Sequence, residues 1–127
     1  MRVLHMLFPR LDFEPGEEVE WRALANRRQG QNRAVGGRLI ATNRRLLFQP
    51  HRLDSRFGGE AWSADISVVT EIGVGPRVFA EGFSGGHRKR LSISTPEGTE
   101  LFVVWRLASK VNELRKVLDL ADPPDSG

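Results

Sequence analysis

A two-residue alternation of apolar and polar side chains, interrupted by turn residues, constrains this chain more than any other feature. The stretch EEVEWRALAN places Val19, Trp21, Ala23 and Ala25 on one side, at every second position, and the charged Glu18, Glu20 and Arg22 on the other. Because side chains two residues apart lie on the same face of a strand, this pattern predicts a half-buried β-strand.

Two further pairs of alternating segments flank short turns. AVGGRLIAT and RLLFQP surround Asn43-Arg44, and RLSIST and TELFVVW surround the turn PEG. Each pair predicts a hairpin, and Asn43 tolerates the left-handed conformation that tight turns require. In the second hairpin we expect Leu91 and Ile93 to face Leu101, Val103 and Trp105 or their neighbours.

The segment EAWSADISVVTEIGV predicts one bent strand or two short strands, since apolar residues or threonine recur at every second position from Trp62 to Ile72. The following stretch, GPRVFAEGFSGGHRK, is rich in glycine and predicts a long loop.

The period then changes to that of a helix. Leu107, Val111, Leu114 and Leu118 form one apolar stripe, and Ser109 is a candidate N-cap. The chain is therefore predicted to be mainly β, with about seven antiparallel strands forming a barrel and one C-terminal helix that caps an open end.

Length and composition favour a single domain. The chain has 127 residues, which suits one domain. It has no cysteine, which favours a cytoplasmic protein, and no apolar run long enough to span a bilayer, so any membrane contact would be peripheral. The expected divisions are an apolar segment at 1–13, the barrel domain at 14–120 and a disordered acidic tail at 121–127.

The whole chain has a net charge of +3, and its positive charge is concentrated in the middle of the sequence. From Arg22 to Arg56 the sequence has a single acidic residue, Asp54, and nine arginines. The arginines are at positions 22, 27, 28, 33, 38, 44, 45, 52 and 56. A basic block of this kind suits an anionic partner.

Two arginine-rich segments are candidate anion sites. NRRQGQNR contributes Arg27, Arg28 and Arg33, followed by Arg38 on the next strand; its alternative interpretation is a solvated hairpin loop. EGFSGGHRKR contributes Arg88, Lys89 and Arg90, and its alternative is a flexible connection. Arg44 and Arg45 are assigned to the turn, as helpers of the other arginines.

The sequence does not predict catalysis or a cofactor. His5, His51 and His87 are widely separated, and no metalloprotease, nucleophile-elbow or nucleotide-binding motif is present. The glutamates between Glu14 and Glu20 are interpreted as a solvated edge. Core packing is expected for Trp21, Trp62 and Trp105.

The chain resembles the GRAM domain, a member of the pleckstrin-homology-like superfamily, over roughly residues 14 to 120. The resemblance rests on the Pro15-Gly16-Glu17 lead-in, the hairpin GGRLIATNRRLLFQP, and the Gly98 turn before Phe102. It implies a strongly bent seven-stranded barrel with a C-terminal helix, used to bind phosphoinositides, other lipids or proteins rather than for catalysis. It also implies that Arg27, Arg28, Arg33 and Arg38 occupy the basic region of the first loop and second strand.

The leading hypothesis is therefore a noncatalytic module that contacts an anionic lipid headgroup or a protein partner. A structural or self-association domain is the alternative, with Met1–Phe13 either packed on the barrel or forming a homodimer contact. Nucleic-acid binding is disfavoured, because no helix carries a basic face suited to a groove.

Overall fold

The computed structural model describes residues 11–29, 33–52, 58–75 and 89–119. Seven strands and one α-helix follow one another along the chain: β1 (Val19–Gln29), β2 (Arg33–Thr42), β3 (Arg45–Pro50), β4 (Trp62–Asp65), β5 (Glu71–Gly75), β6 (Arg90–Thr95), β7 (Gly98–Val104) and α1 (Leu107–Val117). A single-turn 3-10 helix, Ile66–Val68, separates β4 from β5. The expected seven-stranded, mainly β fold with a C-terminal helix is confirmed.

All seven strands form one antiparallel sheet in the order β4-β3-β2-β1-β7-β6-β5. Strand β1 joins the two halves, because it pairs with β2 along one edge and with β7 along the other. Both predicted hairpins are present, with the β2–β3 turn at Asn43-Arg44 and Gly98 at the β6–β7 turn with a φ of +138°.

The inner face of the sheet and one face of α1 enclose the core. Phe48 and Phe102 are fully buried, and their ring centroids lie 5.7 Å apart. Val111, Leu114 and Leu118 of the helical stripe pack into the same cluster. The predicted stripe is thus the buried face of the helix.

Two details of the predicted alternation are wrong. The 3-10 turn changes the phase between β4 and β5, so Val69 is buried while Val68 and Thr70 are exposed. Trp105 is 79% exposed instead of filling the core. The inward positions of β7 are held by Phe102 and Val104, and Trp105 follows them on the outward phase.

Helix α1 also begins differently from the prediction. Its N-cap is Arg106, in the left-handed conformation (φ 56°) and without a side-chain cap, and Ser109 lies inside the first turn. Arg106 is the second of the two residues that join β7 to α1, so its left-handed conformation falls in this short connection.

Several predicted segments lie wholly or partly outside the described residues. They are residues 1–10 of the apolar N-terminal segment, the middle of NRRQGQNR at 30–32, the glycine-rich stretch 76–88, which includes Arg88, and the acidic tail 121–127. The proposed domain boundaries therefore stay a prediction.

Gly37 allows β2 and β3 to approach closely. A Cβ built at this position would lie 2.3 Å from the carbonyl oxygen of Gln49 and 2.7 Å from the ring of Phe48. The first of these is backbone, so relief would require movement of the hairpin itself.

We therefore expect Gly37→Ala to lower the free energy of unfolding by about 1–3 kcal/mol, the usual cost of overpacking. Urea denaturation followed by tryptophan fluorescence measures this. Ala34→Ser, at an exposed position of the same strand, should change it by less than about 0.5 kcal/mol. Equal stability of wild type and Gly37→Ala would contradict the close approach.

Candidate functional site: the outer face of the sheet

Arg45 belongs to a polar cluster that fixes the β2–β3 turn. The Glu17 carboxylate is buried and accepts hydrogen bonds from Thr42 Oγ1 at 2.6 Å and Arg45 Nε at 2.8 Å. Arg45 Nη2 also donates to the carbonyl of Asp12 at 2.9 Å. Because its charge is matched by Glu17, Arg45 is a structural residue of the turn.

The chain before β1 is tied to the same turn. Asn43 accepts from the backbone N–H of Glu18 at 2.9 Å and donates to the carbonyl of Gly16 at 3.0 Å. Arg44 donates to the carbonyl of Pro15 at 3.3 Å. Asn43 tolerates the left-handed conformation but does not adopt it here. Its role is this side-chain clamp, which the turn sequence alone does not predict.

Two opposing effects set the pKa of Glu17. Burial by itself would raise the pKa of Glu17, but hydrogen bonds from Thr42, Arg45 and the Glu14 amide, together with the charge of Arg45, lower it to about 2. The ionised carboxylate is therefore the form that the folded chain stabilises.

A larger arrangement lies on the outward side of β2, β1, β7 and β6. Inward residues such as Ala25, Leu39 and Phe102 are buried, and the residues that alternate with them point away from the core. We give the name outer face to a subset of these outward positions. In β2, β1, β7 and β6 respectively they are Ala34, Gly36 and Arg38; Arg22, Leu24, Asn26 and Arg28; Thr99, Leu101, Val103 and the adjoining Trp105; and Arg90, Ser92 and Ser94.

Leu24 and Trp105 are two exposed apolar residues at the end of the β1–β7 ladder, and we call them the apolar pair. The β1–β7 ladder ends at the pair Ala25 and Val104, and Leu24 and Trp105 are the residues that adjoin this last pair on β1 and after β7. Leu24 is 67% exposed and Trp105 is 79% exposed. Apolar residues scattered singly over a surface are normal, whereas neighbouring exposed apolar residues such as these are more typical of an interaction site.

Arginines surround this pair. Arg38 is the cross-strand partner of Leu24 on β2, while Arg22 and Arg28 lie at outward positions of β1. Arg90 begins β6 and is opposite Gly75 of β5. The outward positions named above contain no aspartate or glutamate; Glu20 lies beyond Arg22 toward the start of β1.

Like charges are close together on the outer face. Arg38 Nε donates to Gln49 Oε1 at 2.8 Å, which orients its guanidinium. Burial, followed by the positive charge of Arg22, lowers the pKa of Arg38 from its ordinary value. Mutual repulsion of this kind is relieved when an anion binds.

The structure separates the basic residues that the sequence grouped together. NRRQGQNR is shorter as a loop than expected, because Asn26–Gln29 continue β1 and pair with Arg33–Gly36. Arg28, Arg38 and Arg90 share the outer face, and Lys89 is exposed just before β6. Arg33 begins β2, its side chain is not described, and Arg88 lies outside the described residues.

Arg27 has a different environment. Its ladder partners are the buried Val35 and Phe102, which places it on the inner side of the sheet. Its Nε donates to Glu100 Oε1 at 3.0 Å and its Nη1 to the carbonyl of Glu60 at 3.4 Å. An opposite charge therefore already engages Arg27.

Sequence reasoning missed Arg22, Leu24 and Trp105 as site residues. A usable signal was present: Leu24 lies in the polar register of β1, where a leucine has no core to join. No such signal marked Trp105, because the burial phase of β7 depends on which side α1 covers.

In the described part of the chain, no group of three or more histidine, aspartate or glutamate residues could hold a metal ion. No described helix is long and apolar enough to cross a membrane.

Two solved structures have a similar backbone. One, described as the C-terminal domain of an unknown protein from Leishmania infantum, has a TM-score of 0.60 and 15% identity, covering 82% of this chain and 86% of that one. The Vps36 N-terminal PH domain has a TM-score of 0.56 and 10% identity, covering 84% and 83%. This chain has the pleckstrin-homology-like fold.

The comparisons with sequences give no further assignment. No protein-family model matches the chain, and no curated protein matches it. At these identities the two solved structures establish the fold alone.

The Glu17 cluster leads to a pH prediction. The pKa of Glu17 falls from an ordinary 4.5 to about 2 on folding, so its stabilisation is complete above about pH 4.5 and is lost as pH falls toward 2. We expect Glu17→Gln to flatten this part of the stability curve and to destabilise the chain at pH 7 by about 1–3 kcal/mol, since Arg45 loses its charge partner.

Thermal unfolding followed by circular dichroism between pH 2 and 7 measures both effects. Glu97→Gln, at an exposed turn position, is the control and should leave the curve unchanged. The assignment is wrong if Glu17→Gln and wild type lose stability in parallel below pH 4.5.

Proposed function

We propose that this protein is a noncatalytic binding module whose outer face engages an anionic membrane surface at its periphery. The observation that carries the proposal is the placement of Arg22, Arg28, Arg38 and Arg90 around the exposed pair Leu24 and Trp105. The pleckstrin-homology-like fold supports a binding module in general. The outer face supplies the positively charged and apolar side chains that would contact its ligand.

The chemistry of the outer face matches the boundary between lipid headgroups and acyl chains. Guanidinium groups attract phosphate and carboxylate and pair with them in a bidentate geometry. Tryptophan partitions favourably into the same boundary, where its indole ring is partly apolar and its N–H remains hydrated. Leu24 and Trp105 would enter the interface while the arginines contact headgroups.

An anionic membrane fits these residues better than an acidic protein does. The apolar pair is exposed on the outward side of the sheet, and a bilayer can deform around exposed side chains of this kind. Two exposed apolar side chains are few for the core of a stable protein interface, which typically buries about 800 Å² on each partner. An acidic protein is the competing outcome of the binding experiment.

We further propose that the module is of the GRAM type. The residues that carry the resemblance contact one another: Glu17 of the lead-in accepts a hydrogen bond from Thr42 of the hairpin, and Asn43 bonds to Gly16. Their role in this chain is to hold the lead-in against the turn. Among the other basic residues assigned from sequence, Lys89 adjoins the face, while binding by Arg27, Arg33 and Arg88 stays a prediction.

The electrostatic part of the proposal predicts salt-sensitive binding. The protein should cosediment with vesicles of phosphatidylserine in phosphatidylcholine at low salt, bind less at higher salt, and ignore pure phosphatidylcholine. Arg22→Ala with Arg28→Ala should weaken binding by roughly thirtyfold, because each basic side chain near the surface contributes about 1 kcal/mol.

The matched control removes the same charge elsewhere. Arg52→Ala with Lys116→Ala changes two exposed residues that are not among the positions of the outer face and should weaken binding much less. If wild type ignores anionic vesicles at low salt, the membrane proposal fails and an acidic protein becomes the partner to seek. Equal losses in the two double variants would mean that net charge, rather than this face, determines binding.

The apolar part of the proposal predicts a separate loss. Trp105→Ala should weaken vesicle binding by about tenfold, since withdrawing a large apolar side chain from water contributes at least about 1.5 kcal/mol. Folding should be retained because Trp105 is exposed; the fluorescence of Trp21 and Trp62 reports this. Val74→Ala, at an exposed apolar position of β5, is the control, and equal effects of the two variants would exclude a specific role for Trp105.

A further inference from the structure

A second apolar patch lies on the outward side of the sheet, beside the outer face, and it is covered. Ile40 of β2 and Leu47 of β3 are cross-strand partners. They alternate with the inward Leu39 and Phe48 and lie outside the hydrophobic cluster of the interior. Nevertheless, Ile40 is 2% exposed and Leu47 is 4% exposed.

Comparison with Leu24 shows that the sheet alone does not cause this burial. Ile40 is opposite Arg22, two residues before Leu24 on β1. Leu24 points to the same side and is 67% exposed. The burial of Ile40 and Leu47 occurs within a single chain, so residues of this chain cover them.

The N-terminal part of the chain approaches this patch. Arg45 Nη2 binds the carbonyl of Asp12, which fixes the chain beside the start of β3. Leu11 then lines a groove of about 210 Å³ together with Leu47, Gln49 and Ser63. The chain that precedes Leu11 therefore begins next to the covered residues.

The length and composition of that chain suit the patch. The ten residues Met1–Arg10 include Val3, Leu4, Met6, Leu7 and Phe8. Fully extended they reach about 33 Å, whereas neighbouring strands lie about 4.8 Å apart. They can cross β3 and β2 and supply the apolar contacts that Leu47 and Ile40 need.

We propose that Met1–Arg10 packs across the outward side of β3 and β2 and covers Leu47 and Ile40 within the same chain. This N-terminal strap would border the outer face and leave Leu24 and Trp105 open. The proposal is independent of membrane binding, because its evidence lies on β2 and β3 and its test requires no ligand.

Disulfide trapping tests the strap directly, since the chain contains no cysteine that could compete. Leu47→Cys is combined in turn with Leu4→Cys and Leu7→Cys, and Ser63→Cys replaces Leu47→Cys in a second set, because Ser63 is exposed and lines the groove with Leu11. Leu7→Cys with Val74→Cys is the remote control. A disulfide forms only when the two Cβ atoms come within about 4 Å.

The expected result is an intramolecular disulfide, visible as a faster monomer band on a nonreducing gel, in at least one strap pair and at least tenfold more than in the control. A disulfide-linked dimer would show that a second copy covers the patch and would overturn the proposal. Equal crosslinking of strap and control pairs would overturn it as well.

A second measurement does not require disulfide geometry. Leu7→Ala and Leu47→Ala should together shift the urea midpoint by less than the sum of their separate shifts, because each removes the same contact. Leu7→Ala with Val111→Ala, a helix residue in the core, should be additive. Additive shifts for both pairs would count against the strap.

Discussion

The fold depends on β1, the strand that is paired along both edges. Its ladder with β2 continues from Val19 to Gln29, and its ladder with β7 joins the second half of the sheet to the first. Without these two ladders, β2–β4 and β5–β7 would be separate three-stranded sheets with exposed edges. The same strand turns Trp21 and Ala25 toward the core and presents Arg22 and Leu24 on the outside.

Backbone pairing explains why the arginines are where they are. The β1–β2 ladder continues through Arg27 and Arg28, although their side chains are polar, because each backbone N–H and C=O must find a partner. The pleat then sends adjacent arginines to opposite sides of the sheet. Arg27 meets Glu100, while Arg28 joins Arg22 and Arg38 on the outer face.

Buried polar contacts fix the remaining geometry. Glu17 is far from β2 and β3 in sequence, yet its carboxylate bonds Thr42 and Arg45 and thereby holds the chain before β1 against the hairpin. A buried carboxylate is tolerated here because an opposite charge and three hydrogen-bond donors compensate its lost hydration. Asp12 and Leu11 precede Glu17 in the chain and lie beside β3, where Asp12 bonds Arg45 and Leu11 lines the groove with Leu47. The Glu17 cluster therefore directs the N-terminal chain toward β3.

The sequence by itself determined the number and type of elements, because a period of two predicts strands and the spacing of Leu107, Val111 and Leu114 predicts a helix. It also identified arginines as the candidate anion-binding residues, since the basic block is visible in the sequence itself. Only the tertiary structure decided which arginines lie together and that Trp105 is exposed. Those properties depend on register, on the phase change at the 3-10 turn and on the side of the sheet that α1 covers. All three are set by contacts between residues far apart in the chain, which local patterns do not encode.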